Sequence, residues 1–468
     1  MDIDRPESVQ STVRERLYKG AGAQAFSQAA RIFIRLAEVP LLLSFWGPHL
    51  YGEWLMVAAI PTYLVMADAG FTGTSSREMA MCVGAGDRSS ALSVFQSTWL
   101  LVAVVSIAVA LLTGLAVATL PLETWFHLET IRENNLLWVV LILTGHVAVS
   151  FQAELLYGGY CSEGRYGLGM WLVTISQLME FLGLALAVSL GGGPVAAAGG
   201  YFTGRVIGFV LLRVILFGIA PWLRFGWQTA RRQQVERLVR PALASMAFPL
   251  GNALNIQGMR LIVGIALGPV AVTIFTTLRT LSRVGYQLVQ SVSSMIEPEL
   301  GLAFGKGDKP LFRQIIRRSC QVALWGALVA CLALLLAGKS LLEVWTRDLI
   351  SMDWYLYGPL LLATVINAVW FTALMAAYAT NRYGRIALVY AFVYGCGTLI
   401  LAYMGTRTAG LIGAGAALVL AEVVMAVYVV PAAIRLSGDT WVQWSRTVMQ
   451  PPLFLVHRLG LGSFIGHG

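Results

Sequence analysis

Long apolar runs separated by short polar connections make up most of the chain. A helix needs about 20 apolar residues to cross the hydrocarbon core of a bilayer, and this sequence contains twelve such stretches. The predicted spans are 20–46, 50–70, 91–119, 136–158, 169–190, 196–218, 241–264, 270–296, 319–338, 358–380, 386–404 and 410–433. No connection is long enough to fold around its own core. The pattern therefore predicts an all-α polytopic membrane protein.

The composition supports a membrane protein and excludes a soluble one. Of the 468 residues, 57% are hydrophobic and 12% are charged, whereas soluble domains carry about 25% charged residues. Residues 1–19 are polar, and the apolar run that follows is too long for a signal peptide, so we expect a retained first helix. The five cysteines are scattered without metal or disulfide spacing. We expect neither a metal nor a cofactor.

The distribution of Lys and Arg predicts the orientation. With the N-terminus in the cytoplasm, 22 of the Lys and Arg in the connections and termini lie on the cytoplasmic side and four on the other. Cytoplasmic loops of membrane proteins are enriched in these residues. We therefore expect a multi-pass membrane protein with both termini cytoplasmic. The net charge of +9 then reflects topology and not binding to nucleic acid.

An internal repeat divides the predicted spans into two sets of six. The segment "SREMAMCVGAGDRSS" and the segment "EPELGLAFGKGDKPL" match at an offset of 221 residues, as do Gly47-Pro48 and Gly268-Pro269. We expect two six-helix halves, at 20–218 and 241–433, a cytoplasmic amphipathic linker at 219–240 and a cytoplasmic tail at 434–468. Because six is even, the two halves are parallel, and transporters built in this way bind substrate between their halves.

Seven arginines and no lysine lie within the predicted spans. They are Arg31, Arg35, Arg205, Arg213, Arg260, Arg279 and Arg283. A charge at the centre of a bilayer costs about 2.5–3.5 kcal/mol, so most of these side chains must face protein or water. Arg31 and Arg35 are four residues apart and share a helix face, as do Arg279 and Arg283. Arg213 is close enough to a span end to reach the interface.

Two interpretations of the other six arginines stay open. A guanidinium group is always charged and offers a planar fork that fits phosphate oxygens, so the six could bind a phosphorylated anion. Alternatively, each arginine could pair with a carboxylate and hold two helices together. The candidate partners within the spans are Glu38, Asp68, Glu154, Glu180 and Glu422.

Other polar residues of the spans have a functional and a structural interpretation. Glu38 could compete with substrate for Arg31 or Arg35, and Asp68 and Glu154 could bind a coupling proton. A solvated position at the membrane interface also explains Asp68 and Glu154. In "FPLGNALNIQG", Asn252, Asn255 and Gln257 could contact sugar hydroxyls or bond between helices.

The segment "FWGPHLYGEWLMVAAIPTYLVMADAGFTGTSSREMA" (45–80) resembles the G-x-x-x-Y-G-x-W, D-x-G and R-E-x-A pattern of bacterial polysaccharide flippases of the Wzx type. "IALGPVAVTIFTTLRTL" and "EPELGLAFGKGDKPLFRQ" are similar to the second half of those proteins. The flippases belong to the multidrug/oligosaccharidyl-lipid/polysaccharide (MOP) exporter superfamily, which also contains the MATE transporters. The resemblance extends over nearly all of residues 10–435.

This resemblance implies an activity and partners. Such proteins move undecaprenyl-diphosphate-linked oligosaccharides from the cytoplasmic to the periplasmic leaflet of a bacterial inner membrane by alternating access, for O-antigen, capsule or exopolysaccharide biosynthesis. By analogy, Arg31, Arg35, Arg279 and Arg283 would line the cavity behind a lateral gate. Membrane lipids, a polysaccharide polymerase and a chain-length regulator are the implied partners.

Two other functions remain open at this point. A cation-coupled drug or metabolite antiporter of the same superfamily would depend on carboxylates in its cavity more than on arginines. A membrane enzyme acting on lipid-linked sugars would need catalytic groups in a large periplasmic loop. The longest such connection, at 339–357, offers Glu343, Asp348 and Asp353 and little else. We therefore expect a transporter and not an enzyme.

Overall fold

The computed structural model describes residues 5–64, 70–237, 246–380 and 382–452, with side chains for 22–63, 70–132, 134–237, 246–284, 296, 299–380 and 382–452. Its helices are α1 (Arg5–Leu64), α2 (Phe71–Gly84), α3 (Arg88–Thr119), α4 (Leu122–Trp125), α5 (Glu133–Ser162), α6 (Tyr166–Ser189), α7 (Pro194–Ile219), α8 (Ala247–Leu267), α9 (Pro269–Gly305), α10 (Lys309–Thr346), α11 (Trp354–Ala379), α12 (Gly384–Ser437) and α13 (Trp441–Met449). A further short helical segment covers 232–237. Throughout the described residues the secondary structure is helical, which confirms the predicted all-α class.

The described helices overlap each predicted span, although 65–69 and 241–245 lie outside the described residues. α1 overlaps two of them, 20–46 and 50–70. Gly47, with a φ of 70°, interrupts the helical conformation between the two. α12 also contains two, divided at Ala409 and Gly410. Within the described ranges, eight helices are long and apolar enough to cross a membrane, and α1 and α9 are not among the eight. Those two helices carry the paired arginines Arg31/Arg35 and Arg279/Arg283.

The repeated sequence forms the same turn in both halves. Gly86 and Gly307 have φ angles of 80° and 70°, which favour glycine. The next residue caps the following helix: Asp87 accepts a hydrogen bond from Ser90 N, and Asp308 accepts one from Leu311 N. Hydrogen bonds to the Asp87 carboxylate, first from Ser90 and then from Ser89, lower the pKa of Asp87 to about 2.

The two connections are shorter than the sequence indicated. Residues 75–84 and 299–305 belong to α2 and α9, so only three residues form each turn. Thr72, Thr74, Ser75 and Met79 of α2 are buried. Packing against α5 therefore extends the helix into a segment whose polar residues resemble a loop.

The chain divides into two compact units, Met1–Ala253 with Gly268–Val270, and Leu254–Leu267 with Ala271–Gly468. In the first unit α5 is central and contacts α1, α2, α3, α6 and α7. In the second unit α11 contacts α10 and α12 and buries most of its residues. Each central helix carries a polar residue at an equivalent position of the repeat, His146 in α5 and Asn367 in α11, which are 221 residues apart.

Within the first unit, α6 and α7 cross at very short range. A Cβ added at Gly200, Gly204 or Gly208 would lie 2.0–2.3 Å from atoms of α6. Small residues permit such close backbone approach between membrane helices. The crossing places the side chains of α7 that lie beside these glycines directly against α6.

Residues 220–231 of the predicted linker are irregular and are hydrogen-bonded to α3. Gln96 of α3 donates a hydrogen bond to Arg224 O at 3.0 Å and accepts one from Thr229 N at 2.9 Å. Ser93 donates to Thr229 O, and Ser97 accepts from Arg231 N. The segment therefore packs on the end of a span through its backbone groups.

Candidate functional site

The arginines of α1 lie on a half-exposed face of the helix. Arg31 is half-buried and donates to Ser27 Oγ and to Gln28 Oε1, the latter at 3.1 Å. Arg35 is exposed, and Glu38 is half-buried within electrostatic range of Tyr201. The helical spacing of the two arginines thus places both on one side of α1.

Arg205 is the centre of a buried ionic cluster in the first unit. Its Nη1 lies 2.8 Å from Glu180 Oε1, and both side chains are less than 10% exposed. His146 Nε2 lies 3.0 Å from the other oxygen of Glu180, and the Tyr201 hydroxyl also bonds to this carboxylate. The close crossing of α6 and α7 at Gly204 brings Arg205 to Glu180. This arginine has the carboxylate partner that the structural interpretation requires.

A second polar cluster lies in the other unit around Arg279, which is half-buried. Its Nη1 donates to the carbonyl oxygen of Asn255 at 3.0 Å, and its Nη2 donates to the side-chain oxygen of the same residue. Arg283, Arg260 and Glu422 lie within electrostatic range of the Arg279 guanidinium group. Arg260 itself donates to Gln257 Oε1 at 3.0 Å. Three of the predicted arginines are therefore close together in this unit.

Glu422 is held in this cluster by neutral hydrogen-bond donors. Trp370 Nε1, Tyr394 Oη and Asn367 Nδ2 donate to its carboxylate at 2.6, 2.8 and 2.9 Å. Glu422 is 6% exposed. Among the described residues, the side chains that donate to Glu422 are neutral. Glu180 differs, because the guanidinium group of Arg205 donates to it.

Two π-helical segments border the second cluster. One is Leu254–Gly258 in α8, which carries Asn255, and the other is Tyr390–Gly397 in α12, which carries Tyr394. The two segments contact each other. π-Helical turns are frequent at functional sites. They allow the backbone of α8 to present the Asn255 carbonyl group to Arg279.

Two atoms of this cluster have no hydrogen-bond partner among the described atoms. They are Asn255 Nδ2 and Asn367 Oδ1, and both residues are 2% exposed. Buried polar atoms are usually paired. The second cluster therefore has hydrogen-bonding capacity that the described atoms do not use.

The remaining predicted site residues lie elsewhere or are not described. Glu154 and Asn252 are exposed, and Asp68 lies outside the described residues. Within the described chain, no group of three or more His, Cys, Asp or Glu side chains is placed to hold a metal ion. The structure thus brings Arg260, Arg279 and Arg283 together with Asn255 and Gln257, and it places Arg205 in a separate cluster.

Sequence reasoning missed Glu53, a fully buried carboxylate of α1. It accepts hydrogen bonds from the backbone N–H groups of Glu129, Thr130 and Ile131 at 2.6–3.1 Å. His49 lies one turn earlier, with Nδ1 3.4 Å from Glu53. Glu53 therefore anchors the connection between α3 and α5. A single acidic residue in an apolar run was the available signal.

The repeat could have revealed the acidic centre of the second unit. Tyr201 and Glu422 are 221 residues apart, as are His146 and Asn367. The rings of His146 and Tyr201 are 4.3 Å apart, and Asn367 donates to Glu422. The same position of the central helix, His146 or Asn367, therefore contacts the same position of the last helix, Tyr201 or Glu422, in each half. The residue types at both positions differ between the halves.

Comparison with known proteins gives matches among solved structures. No protein-family model and no curated protein matches the sequence. The chain is similar to an inward-facing multidrug resistance MATE family transporter of the MOP superfamily, with 17% identity and a TM-score of 0.72 over 86% of this chain and 94% of the other. It is also similar to an outward-facing transporter of the same description, with 16% identity and a TM-score of 0.61 over 90% of this chain and 96% of the other.

A third similar structure comes from Pyrococcus furiosus. It is described as "Reverse polarity of binding pocket suggests different function of a MOP superfamily transporter", and it matches with 16% identity and a TM-score of 0.63 over 90% of this chain and 96% of the other. At these identities the likeness concerns the fold. The protein is a multi-pass membrane protein with the fold of the MATE transporters of the MOP superfamily.

Proposed function

We propose that the protein is a flippase that moves a lipid-diphosphate-linked oligosaccharide, of the undecaprenyl type, from the cytoplasmic to the periplasmic leaflet of a bacterial inner membrane. The observation that carries this proposal is the cluster of Arg260, Arg279 and Arg283 inside the spans of the second unit. A glycan destined for O-antigen, capsule or exopolysaccharide is the cargo that the sequence resemblance implies. A polymerase and a chain-length regulator are its proposed partners.

The charge balance of the cluster supports an anionic cargo. Two guanidinium groups and one carboxylate lie within electrostatic range of Arg279, and a diphosphate would add negative charge beside these guanidinium groups. Guanidinium groups bind phosphate oxygens in a bidentate manner. Arg31 and Arg35 are further proposed diphosphate ligands, in the first unit. Arg205, which has Glu180 as its partner, we assign to holding α6 and α7 together.

The polar atoms beside the arginines support a hydroxylated cargo. Asn255 Nδ2 and Asn367 Oδ1 are buried without a partner in the described chain. Sugar hydroxyls both donate and accept hydrogen bonds and could satisfy such atoms. In the Pyrococcus furiosus protein a pocket of reversed polarity was taken to indicate a different function. An arginine-rich interior in this chain is a comparable departure from drug transport.

The test compares arginine variants in the native host and in proteoliposomes. Arg279→Ala should stop translocation of a labelled lipid-diphosphate oligosaccharide and cause the lipid-linked precursor to accumulate. Arg279→Lys keeps the charge and loses the fork; a charged hydrogen bond contributes about 1.5–3 kcal/mol, so we expect roughly ten- to a hundredfold lower transport. Arg213→Ala is the matched control, because this exposed intramembrane arginine lies over Phe225 at 5.1 Å. Normal transport by Arg279→Ala at wild-type membrane levels would contradict the site.

A cation-coupled antiporter of the same superfamily is the second candidate. Glu422 favours it, because a buried carboxylate surrounded by neutral donors is the type of group that can bind a transported proton. This alternative predicts that Glu422→Gln abolishes export of a drug or metabolite and that Arg279→Lys has little effect. Drug sensitivity after gene deletion, with normal glycan export, would favour the antiporter over the flippase.

A further inference from the structure

The helix α13, which follows the last span, has an unusual distribution of apolar side chains. Trp444 and Val448 are 7% and 3% exposed, and α13 packs on α10. Trp441, Val442 and Met449 are 53%, 75% and 72% exposed. At 100° per residue these three side chains lie within one arc of about 100°. α13 therefore has two apolar faces, and α10 covers one of them.

Hydrogen bonds fix α13 to α10 at both of its ends. Before the helix, Arg317 forms a bidentate ion pair with Asp439, and Arg313 donates to Ser437 O at 2.9 Å. After the helix, Gln321 donates to Gln450 O at 2.8 Å. Burial alone would raise the pKa of Asp439, but the hydrogen bonds from Arg317 and Thr440 lower it. The carboxylate is therefore charged at neutral pH and α13 has a defined position.

This position is at the surface of the membrane. Four residue steps separate the end of α12 at Ser437 from the start of α13 at Trp441, a distance of at most about 14 Å. The residues of α10 that bond to α13 and its flanking residues, Arg313 to Gln321, lie where the charged end of α10 meets its apolar span at 319–338. α13 thus lies beside the boundary between hydrocarbon and water.

The charge around α13 favours an anionic surface. Seven basic residues occur in 306–318 and 435–446, against two acidic residues, Asp308 and Asp439. The basic residues are Lys306, Lys309, Arg313, Arg317, Arg318, Arg435 and Arg446. Basic segments beside a membrane are attracted to anionic lipid headgroups. Arg446 borders the exposed stripe and can extend to the phosphate level.

We infer that α13 is a membrane-surface anchor whose stripe of Trp441, Val442 and Met449 is inserted among the headgroups of anionic lipids. Tryptophan is enriched at this depth of the bilayer, and short amphipathic helices with basic borders bind in the interface plane. The ion pair between Arg317 and Asp439 then connects α10 and α12 to the lipid surface. This inference does not depend on which cargo the protein carries.

The first test measures the depth of spin labels on α13 in nanodiscs with and without anionic lipid. Val442→Cys and Met449→Cys carry labels on the stripe, and Gln443→Cys carries one on the polar side, in full-length protein whose five native cysteines are replaced. We expect oxygen-dominated relaxation at 442 and 449, nickel-chelate-dominated relaxation at 443, and a greater depth with anionic lipid. Water accessibility at all three positions would overturn the inference. Protection found only in discs with two protomers would also overturn it, because a second copy would then cover the stripe.

A second test avoids replacement of the native cysteines. The double variant Val442→Glu/Met449→Glu places two carboxylates on the stripe, and the control variant Val442→Leu/Met449→Leu keeps the stripe apolar. In anionic nanodiscs we expect the stripe variant to unfold at a lower temperature than the control variant, with a smaller difference in detergent. Equal midpoints for the two variants in anionic nanodiscs would contradict insertion of the stripe.

Discussion

At the scale of single residues, the same side chain has two different environments in the two units. Arg205 is buried against the carboxylate of Glu180, whereas Arg279 is half-buried, bonds to Asn255 and lies within electrostatic range of two other arginines. Sequence position alone does not distinguish these cases, because both residues are arginines within apolar runs. The neighbouring helix decides whether each arginine meets a carboxylate or an amide.

We predict that Arg205→Met destabilises the protein and that a second substitution restores it. Removal of one partner of a buried ion pair leaves an uncompensated charge and costs about 3–5 kcal/mol, whereas two apolar residues in place of the pair are often neutral. Thermal unfolding in detergent should therefore show a large decrease for Arg205→Met and a midpoint near wild type for Arg205→Met/Glu180→Met. If the double variant were no more stable than Arg205→Met, Glu180 would not be the group that requires Arg205.

At the scale of helices, glycines and π-helical turns place the functional side chains. Gly200, Gly204 and Gly208 recur every four residues on α7 and allow it to approach α6. The π-helical turn at Leu254–Gly258 interrupts the regular bonding of α8 and presents the Asn255 carbonyl group to Arg279. The length of the apolar runs predicted spans at 196–218 and 241–264 but contains no information on either contact.

We predict that Gly204→Ala is destabilising and that Gly199→Ala is not. An added Cβ at Gly204 would lie 2.3 Å from the backbone oxygen of Met179, so α6 and α7 would have to separate. Overpacking of this kind costs about 1–3 kcal/mol, and separation of the helices would also lengthen the pair between Arg205 and Glu180. Gly199 on the same helix has no neighbour within 4 Å, so alanine there serves as the control. Unchanged thermal midpoints for both variants would show that the crossing tolerates a methyl group.

At the scale of the whole molecule, the two repeated segments form the same turn, and the two units differ in their polar centres. The turns at Gly86-Asp87 and Gly307-Asp308 have the same conformation and the same caps. The polar centres differ: His146, Glu180 and Arg205 in one unit and Asn367, Glu422 and Arg279 in the other. The local sequence repeat is therefore matched by a repeated turn, whereas the buried chemistry is not repeated.

We predict that both termini lie in the cytoplasm and that the turn at 306–308 lies on the same side. In intact cells a membrane-impermeant maleimide should label Thr124→Cys, in the connection between α3 and α5, and should label Lys306→Cys only after lysis. Both positions are exposed, and the unsubstituted chain with its five cysteines gives the background. The reverse pattern would contradict the orientation inferred from the 22-to-4 distribution of basic residues.

The sequence by itself determined the all-helical class, the approximate extent of the spans and the repeat. These properties depend on the apolar content of each segment and on residues close in the chain, such as the glycine and aspartate of each turn. Only the tertiary structure decided that Arg205 pairs with Glu180 and that Arg260, Arg279 and Arg283 cluster beside Asn255 and Glu422. It also decided that Glu53 anchors a distant connection. Such contacts depend on which faces of separate helices meet, and burial makes each charged group select its partner from the neighbouring helix.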